Sequence, residues 1–127
     1  LVKHLRINWK EGEKYFRNCL LDFNEANNVA QWQWVAGCGA DAAPYFRIFN
    51  PILQGEKFDK QGDYVKKWVP ELSKVPPKFI HKPWEMDKKY QEAINTIIGV
   101  NYPMPIVIHE KARTDALSAF QSIKKKN

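Results

Sequence analysis

Apolar residues along the chain recur at helical rather than strand intervals. In WKEGEKYFRNCLL (9–21), Trp9, Tyr15, Phe16, Cys19 and Leu20 fall at helical spacing, as on one face of an α-helix. Asn8, followed three residues later by Glu11, supplies an N-cap and its box partner. Gly12 inside this run costs up to ~1 kcal/mol of helix propensity relative to alanine. DFNEANNVAQWQWVA predicts a second helix beginning near Asn24 or Glu25 and closed by Gly37 and Gly39. ILQGEKFD and DYVKKWVPEL read as short helices joined by a turn at Gly62. DKKYQEAINTII reads as another, closed by Gly99. HEKARTDALSAFQSI is a final helix with Ala112, Ala116, Leu117, Phe120 and Ile123 on one side. The lysines after it suit a helix C-terminus, or a solvated tail.

Between these runs the pattern is irregular. DAAPYFRIFNP is bounded by Pro44 and Pro51, and NYPMPIV reads as a proline-fixed turn. SKVPPKFIHKPW carries Pro76, Pro77 and Pro83 and predicts an ordered loop against a surface, or an extended linker. FRIF and PIVI are too short to stand as strands, and no run alternates apolar and polar residues for long. There is no internal repeat or low-complexity segment. The fold class is all-α, with short helices and much ordered loop.

Composition narrows the partners only a little. A chain of 127 residues suffices for one domain. Its 20 Lys and Arg against 14 Asp and Glu give a net charge of +6, which permits a nucleic-acid partner and equally suits a solubilising surface. The two cysteines, Cys19 and Cys38, form no CxxC pair, as expected of free thiols in an intracellular, cytoplasmic protein. His4, His81 and His109 lie far apart in sequence and outside any metal-ligand spacing, so no metal site is expected. No apolar run approaches the ~20 residues of a membrane span, and no signal peptide is visible. The chain does not begin with Met, and LVKHLRI reads like the end of a helix already under way, as in a piece of a longer protein.

Candidate chemistry centres on NNVAQWQWVAGCGADAAPYFR (27–47). Each helical residue turns ~100°, so Trp32 and Trp34 point ~200° apart and serve different neighbours. Asn24, Asn28 and Trp32, spaced by four, stack as one stripe. Two amides beside an indole suit a planar heteroaromatic ligand with hydrogen-bonding edges. A capped, buried helix explains the same residues. Ala36, Gly37, Gly39, Ala40, Ala42 and Ala43 then allow close approach of backbone or ligand. Arg47, among Tyr45, Phe46 and Phe49, suits a phosphate or base contact, or an ion pair. Gln54 and Lys57, one turn apart, either continue a backbone-contacting edge or form a solvated helix face.

DFNEANNVAQWQWVAGCGADAAPYFRIFNPILQGEKFD closely resembles the flavin-binding region of the DNA photolyase/cryptochrome family, most like the class I cyclobutane pyrimidine dimer photolyases. The likeness continues through NWKEGEKYF, YVKKWVPEL, PPKFIHKPWEM and YPMPIVIHEKAR, and so covers essentially the whole chain. It implies the C-terminal part of a helical FAD-binding domain over 1–127, a piece of a monomeric, soluble protein. An N-terminal α/β domain with a folate or deazaflavin antenna, and an upstream helical stretch with the adenine and phosphate contacts, would lie outside it. The implied reaction is light-driven repair of pyrimidine dimers in DNA. Reduced FAD gives an electron to a flipped-out dimer, in a pocket of the kind base-directed enzymes use.

The family pattern Asp-x-Asp-x-x-x-Asn-x-x-x-Trp-x-Trp falls here on Asp22, Asn24, Asn28, Trp32 and Trp34. By resemblance Asp22 and Asn24 contact the carbonyl and imide edge of the isoalloxazine, and Asn28 faces its redox-active central nitrogen. Trp32 is the flavin-proximal member of an electron-transfer chain and Trp9 the middle one. Trp34 stacks on the dimer, and Arg47 helps hold the DNA backbone, an edge that Gln54 and Lys57 would continue by their spacing. Asn24 departs from the pattern, which has aspartate there. Two other readings accompany this one: a cryptochrome photoreceptor without repair, and a non-enzymatic helical domain that binds single-stranded nucleic acid by stacking and charge.

Overall fold

Asn8 caps the first helix. In the computed structural model, which describes residues 1–40 and 46–124, its side chain accepts from the Lys10 backbone N–H at 3.0 Å and α1 runs Trp9–Cys19. The cap thus bonds the second helical residue rather than the third, which the box with Glu11 would have used. Asn24 caps α2 (Glu25–Ala36) by accepting from Asn27 N–H at 3.0 Å. Gly37 ends it in the left-handed region, φ 75°, where glycine carries no steric penalty. The remaining helices are α3 (Pro51–Phe58), α4 (Asp63–Trp68), α5 (Lys88–Ala93) and α6 (His109–Lys124). Short 3₁₀ turns stand at Pro70–Leu72 and Pro83–Glu85. Among the described residues there is no strand, only an isolated bridge between Ile98 and Tyr102. The expected all-α class is therefore observed.

The chain divides into two compact units. The first comprises Leu1–Ile48 and Val107–Asn127. Here α1 packs on α2, and Arg17 ties them together, reaching Glu13 at 2.8 Å and Glu25 at 2.7 Å. On α6, Ala112 and Ala116 are buried, and Phe120 stacks on Phe46 with ring centroids 4.3 Å apart. Ile123, at the end of the same stripe, is exposed. LVKHLRI forms a single turn, with Leu5 N–H donating to Leu1 C=O at 3.2 Å.

That turn brings His4 against the first residue of α6: His4 Nε2 lies 2.9 Å from His109 Nδ1. Burial, and then the neighbouring His109, lower the His4 pKa from 6.5. Folding thus favours the neutral ring. The stability it contributes is present above pH 6.5 and is lost as pH falls through the lowered value. The melting temperature of the full-length protein should fall on acidification below pH 6.5, and His4→Gln should flatten that slope. Calorimetry across the range checks it; an unchanged slope would remove the pair as a contributor.

The second unit is Phe49–Ile106. Its core is Leu72, Val75, Ile80 and Met86, with Val65, Val69, Phe79 and Ile94 packed against it. Val75 and Ile80 lie in the proline-rich segment read from sequence as a loop on a surface or a linker. The segment is an ordered loop as read, but its placement is corrected: it supplies the centre of the core. Gly62 (φ 72°) turns the chain so closely past Ile80 that a Cβ there would meet its Cγ1 at 2.4 Å.

The helix expected to run to Gly99 ends at Ala93. Asn95 follows in the left-handed region, φ 54°. The buried Gln91 side chain then takes over the hydrogen bonding. Its Nε2 donates to Met86 C=O at 2.8 Å, and its Oε1 accepts from Ile98 N–H at 2.9 Å. Gly99, φ 95°, belongs to the next turn.

Candidate functional site

The link between α1 and α2 opens a groove of about 480 Å³ in the first unit. Phe16 and Leu20 form one wall, and Asp22 and Asn24 come from the link. Asn27, Asn28, Gln31, Trp32 and Val35 come from α2. The volume lies within the ~300–1,000 Å³ common for small-molecule sites. Asp22, Asn24, Asn28 and Trp32, singled out in the sequence, are thus brought together. Asn27 and Gln31 were missed, although each stands three residues beyond Asn24 or Asn28 and so extends the same helical stripe.

Asn28 is the buried polar group of this groove, 7% exposed. Its Nδ2 donates to Glu13 C=O at 3.0 Å and lies 3.4 Å from Glu13 Oε1. Both neighbours are acceptors, which fixes the amide orientation: Nδ2 faces α1, and Oδ1 does not. Oδ1 is buried with no hydrogen-bond partner among the described residues. An unsatisfied buried acceptor costs ~1–3 kcal/mol, so a ligand N–H meeting it would recover that energy. Glu13, held in turn by Arg17, was missed in the sequence. No local pattern shows that it would meet a residue 15 positions away.

Trp32 is half-buried in the groove wall and meets Phe16 edge to face, centroids 5.1 Å apart at 71°. Asn24 is exposed and lines the groove while serving as cap. Asparagine and aspartate cap about equally well, so the departure from the family pattern leaves the helix start intact.

The other singled-out residues lie away from this groove. Trp9 is half-buried in a second hollow of the first unit, of about 450 Å³, beside Ala36, Phe46, Ala116 and Phe120. Trp34 is 42% exposed and is not among the residues lining the first groove, as the divergence of the two indoles requires. Arg47 is exposed, and its C=O accepts from Lys3 Nζ. Gln54 and Lys57 are exposed on α3 in the second unit, and Lys57 Nζ lies 5.1 Å from the Phe58 ring centroid. Ala42, Ala43 and Tyr45 lie outside the described residues. Among the described residues no cluster of His, Cys, Asp and Glu could hold a metal, and no helix is long and apolar enough to cross a membrane.

Comparison with known proteins places this geometry in a family. A family model described as the FAD binding domain of DNA photolyase matches residues 1–122. The deoxyribodipyrimidine photo-lyase of Agrobacterium fabrum is 58% identical over 98% of the chain and 26% of its own length. That of Escherichia coli is 48% identical over 98% of the chain and 25% of its own length. A crystal structure of a bacterial class III photolyase from Agrobacterium tumefaciens matches with a TM-score of 0.90 at 58% identity, covering 98% of the chain and 26% of that structure. A Synechocystis cryptochrome structure matches with a TM-score of 0.85 at 35% identity, covering 92% and 24%. The chain spans about a quarter of the length of these relatives. Because a class III structure matches at 58%, the likeness to class I enzymes widens to the family as a whole. From its match over residues 1–122 and its likeness to these relatives, the chain belongs to the DNA photolyase family, as part of the FAD binding domain.

Proposed function

We propose that the full-length protein is a deoxyribodipyrimidine photolyase, which reverses cyclobutane pyrimidine dimers in DNA under blue light. In this reading residues 1–127 are the C-terminal part of its FAD-binding domain. An upstream helical part would complete the cofactor site, and an N-terminal α/β domain would carry a folate or deazaflavin antenna. The protein works as a monomer on DNA inside the cell. The observation that carries the reading is the Asn28 amide: a buried acceptor without a partner among the described residues, in a groove sized for a ring system.

These residues fit a flavin. Asn28 Oδ1 would accept from the N–H of the central ring, while Glu13 holds the amide in that orientation. Asp22 and Asn24 would take the imide edge. When bound and reduced, the flavin supplies on excitation the electron that opens the cyclobutane ring, and the electron returns, so the repair is redox-neutral. Trp32 and Trp9 relay electrons that keep the cofactor reduced. Trp34 stacks on the dimer, and Arg47, Gln54 and Lys57 contact the DNA backbone. The photoreceptor alternative has less support, because the photolyases match at 36–58% identity, most of them above 40%, and the Synechocystis cryptochrome at 35%. A non-enzymatic helical domain finds no support in the family match.

The test is light-dependent loss of dimers from an oligonucleotide incubated with the purified full-length protein. A flavin-loaded protein that leaves the dimers intact would overturn the repair reading in favour of the photoreceptor. Asn28→Leu, which keeps the branched four-atom skeleton and removes the amide, probes the groove itself. Losing a buried hydrogen bond of ~1–3 kcal/mol should weaken flavin binding by roughly fivefold to a hundredfold. Flavin titration of the unloaded protein measures it, and an unchanged affinity would take Asn28 out of the site.

A further inference from the structure

Gly12 costs α1 helix propensity, yet it sits in the middle of that helix and is buried. Its neighbours explain the choice. A Cβ built at Gly12 would lie 2.2 Å from Trp32 Cη2 and 2.5 Å from both Cζ2 and Cζ3. Real Cβ contacts essentially never fall under 3.0 Å. All three atoms belong to one rigid six-membered ring, so the ring cannot yield at one atom and must move as a body. Trp9 precedes Gly12 by three residues and Phe16 follows it by four, so the three share one face of α1. The indole of Trp32 therefore lies against bare helix backbone at Gly12, and Phe16, one turn further along the same face, meets it edge to face.

We propose that Gly12 is a positioning residue for Trp32. By lacking a side chain it sets how deeply the indole sits between the groove and the helix that carries Trp9. This rests on the reading of Trp32 and Trp9 as electron relays. Trp32 is held on one side by α1 and opens on the other to the groove. A side chain at position 12 would move it away from the helix of its electron donor, from 2.2 Å to beyond 3.0 Å of the new Cβ. Electron transfer between two rings weakens as their separation grows, so the shift should slow the step from Trp9 to Trp32.

The experiment is a double-variant cycle in the full-length protein. Gly12→Ala should lower the melting temperature by several degrees with Trp32 present. In the Trp32→Phe background the same change should be neutral or raise it. Phenylalanine lacks the three atoms that the methyl group strikes, and alanine is the better helix former. This readout needs no flavin. An equal loss in both backgrounds would overturn the proposal. Where Gly12→Ala alone does not fold, recovery of folding in the double variant supports the proposal, and failure to recover overturns it. In flavin-loaded Gly12→Ala, transient absorption should show the Trp32 radical, once formed, being reduced by Trp9 more slowly than in the wild type. A wild-type rate would overturn the positioning role. Wild-type photoreduction in Trp32→Phe alone would instead overturn the relay reading beneath the proposal. The two failures are distinguishable, because Gly12→Ala leaves Trp32 in place.

Discussion

Trp32→Phe in the full-length protein should slow photoreduction of the flavin by at least about a hundredfold, a rise of ~2.7 kcal/mol in the barrier. Repair should persist when the flavin is reduced chemically. The expectation rests on position: Trp32 lines the same groove as Asn28, one helical turn further along α2. A benzene ring is far harder to oxidise than an indole, so phenylalanine keeps an apolar wall and removes the electron donor. The smaller ring also leaves a gap above Gly12, which should cost about 1–3 kcal/mol of stability. Flavin content must therefore be matched between the two proteins. Transient absorption reports the tryptophan radical, and dimer repair under dithionite reports the rest of the chemistry. Undiminished photoreduction would assign Trp32 to packing alone.

Trp34→Ala should have the complementary effect. Trp34 is 42% exposed and does not line the groove, so its truncation should cost the fold little and leave electron supply in place. Stacking on a base is worth ~1–3 kcal/mol by alanine substitution, or roughly fivefold to a hundredfold in affinity. The loss should fall on dimer-containing DNA, because undamaged duplex is held mainly through phosphates. Salt titrations of binding to damaged and intact duplexes separate the two. If both DNAs were weakened equally, the lesion-stacking role would be withdrawn, along with its support for repair over photoreception.

What could be read from sequence was what neighbouring residues decide. The start of α2 at Asn24, its end at Gly37 and the stripe through Asn28 and Trp32 depend on contacts within a few positions. The opposite facing of Trp32 and Trp34 follows from helix geometry alone. What escaped depends on residues distant in the chain. Val75 and Ile80 have neither a helical nor a strand period, so nothing local marked them as core. The early end of α5 follows from Gln91 bonding forward to Ile98, a partner that a continuing helix would not use. Gly12 was legible as a cost to α1. Its compensation lies 20 residues away, in the indole of Trp32. Glu13 likewise acquires meaning only once α2 is laid against α1.

The cap of α2 has an electrostatic consequence. Asn24 satisfies the helix N-terminus without adding charge, at a position where the family pattern has aspartate. The first turn of a helix carries a partial positive charge, which a carboxylate there would offset. With an amide in that place, the offset falls to Glu25 and Asp22 alone. The wall facing a bound ring is one negative charge poorer, and a ring that gains electrons is held more favourably. With the ring against this wall as proposed, the midpoint potential of the bound flavin should lie higher than in an aspartate-capped relative, and its reduced form should be easier to keep.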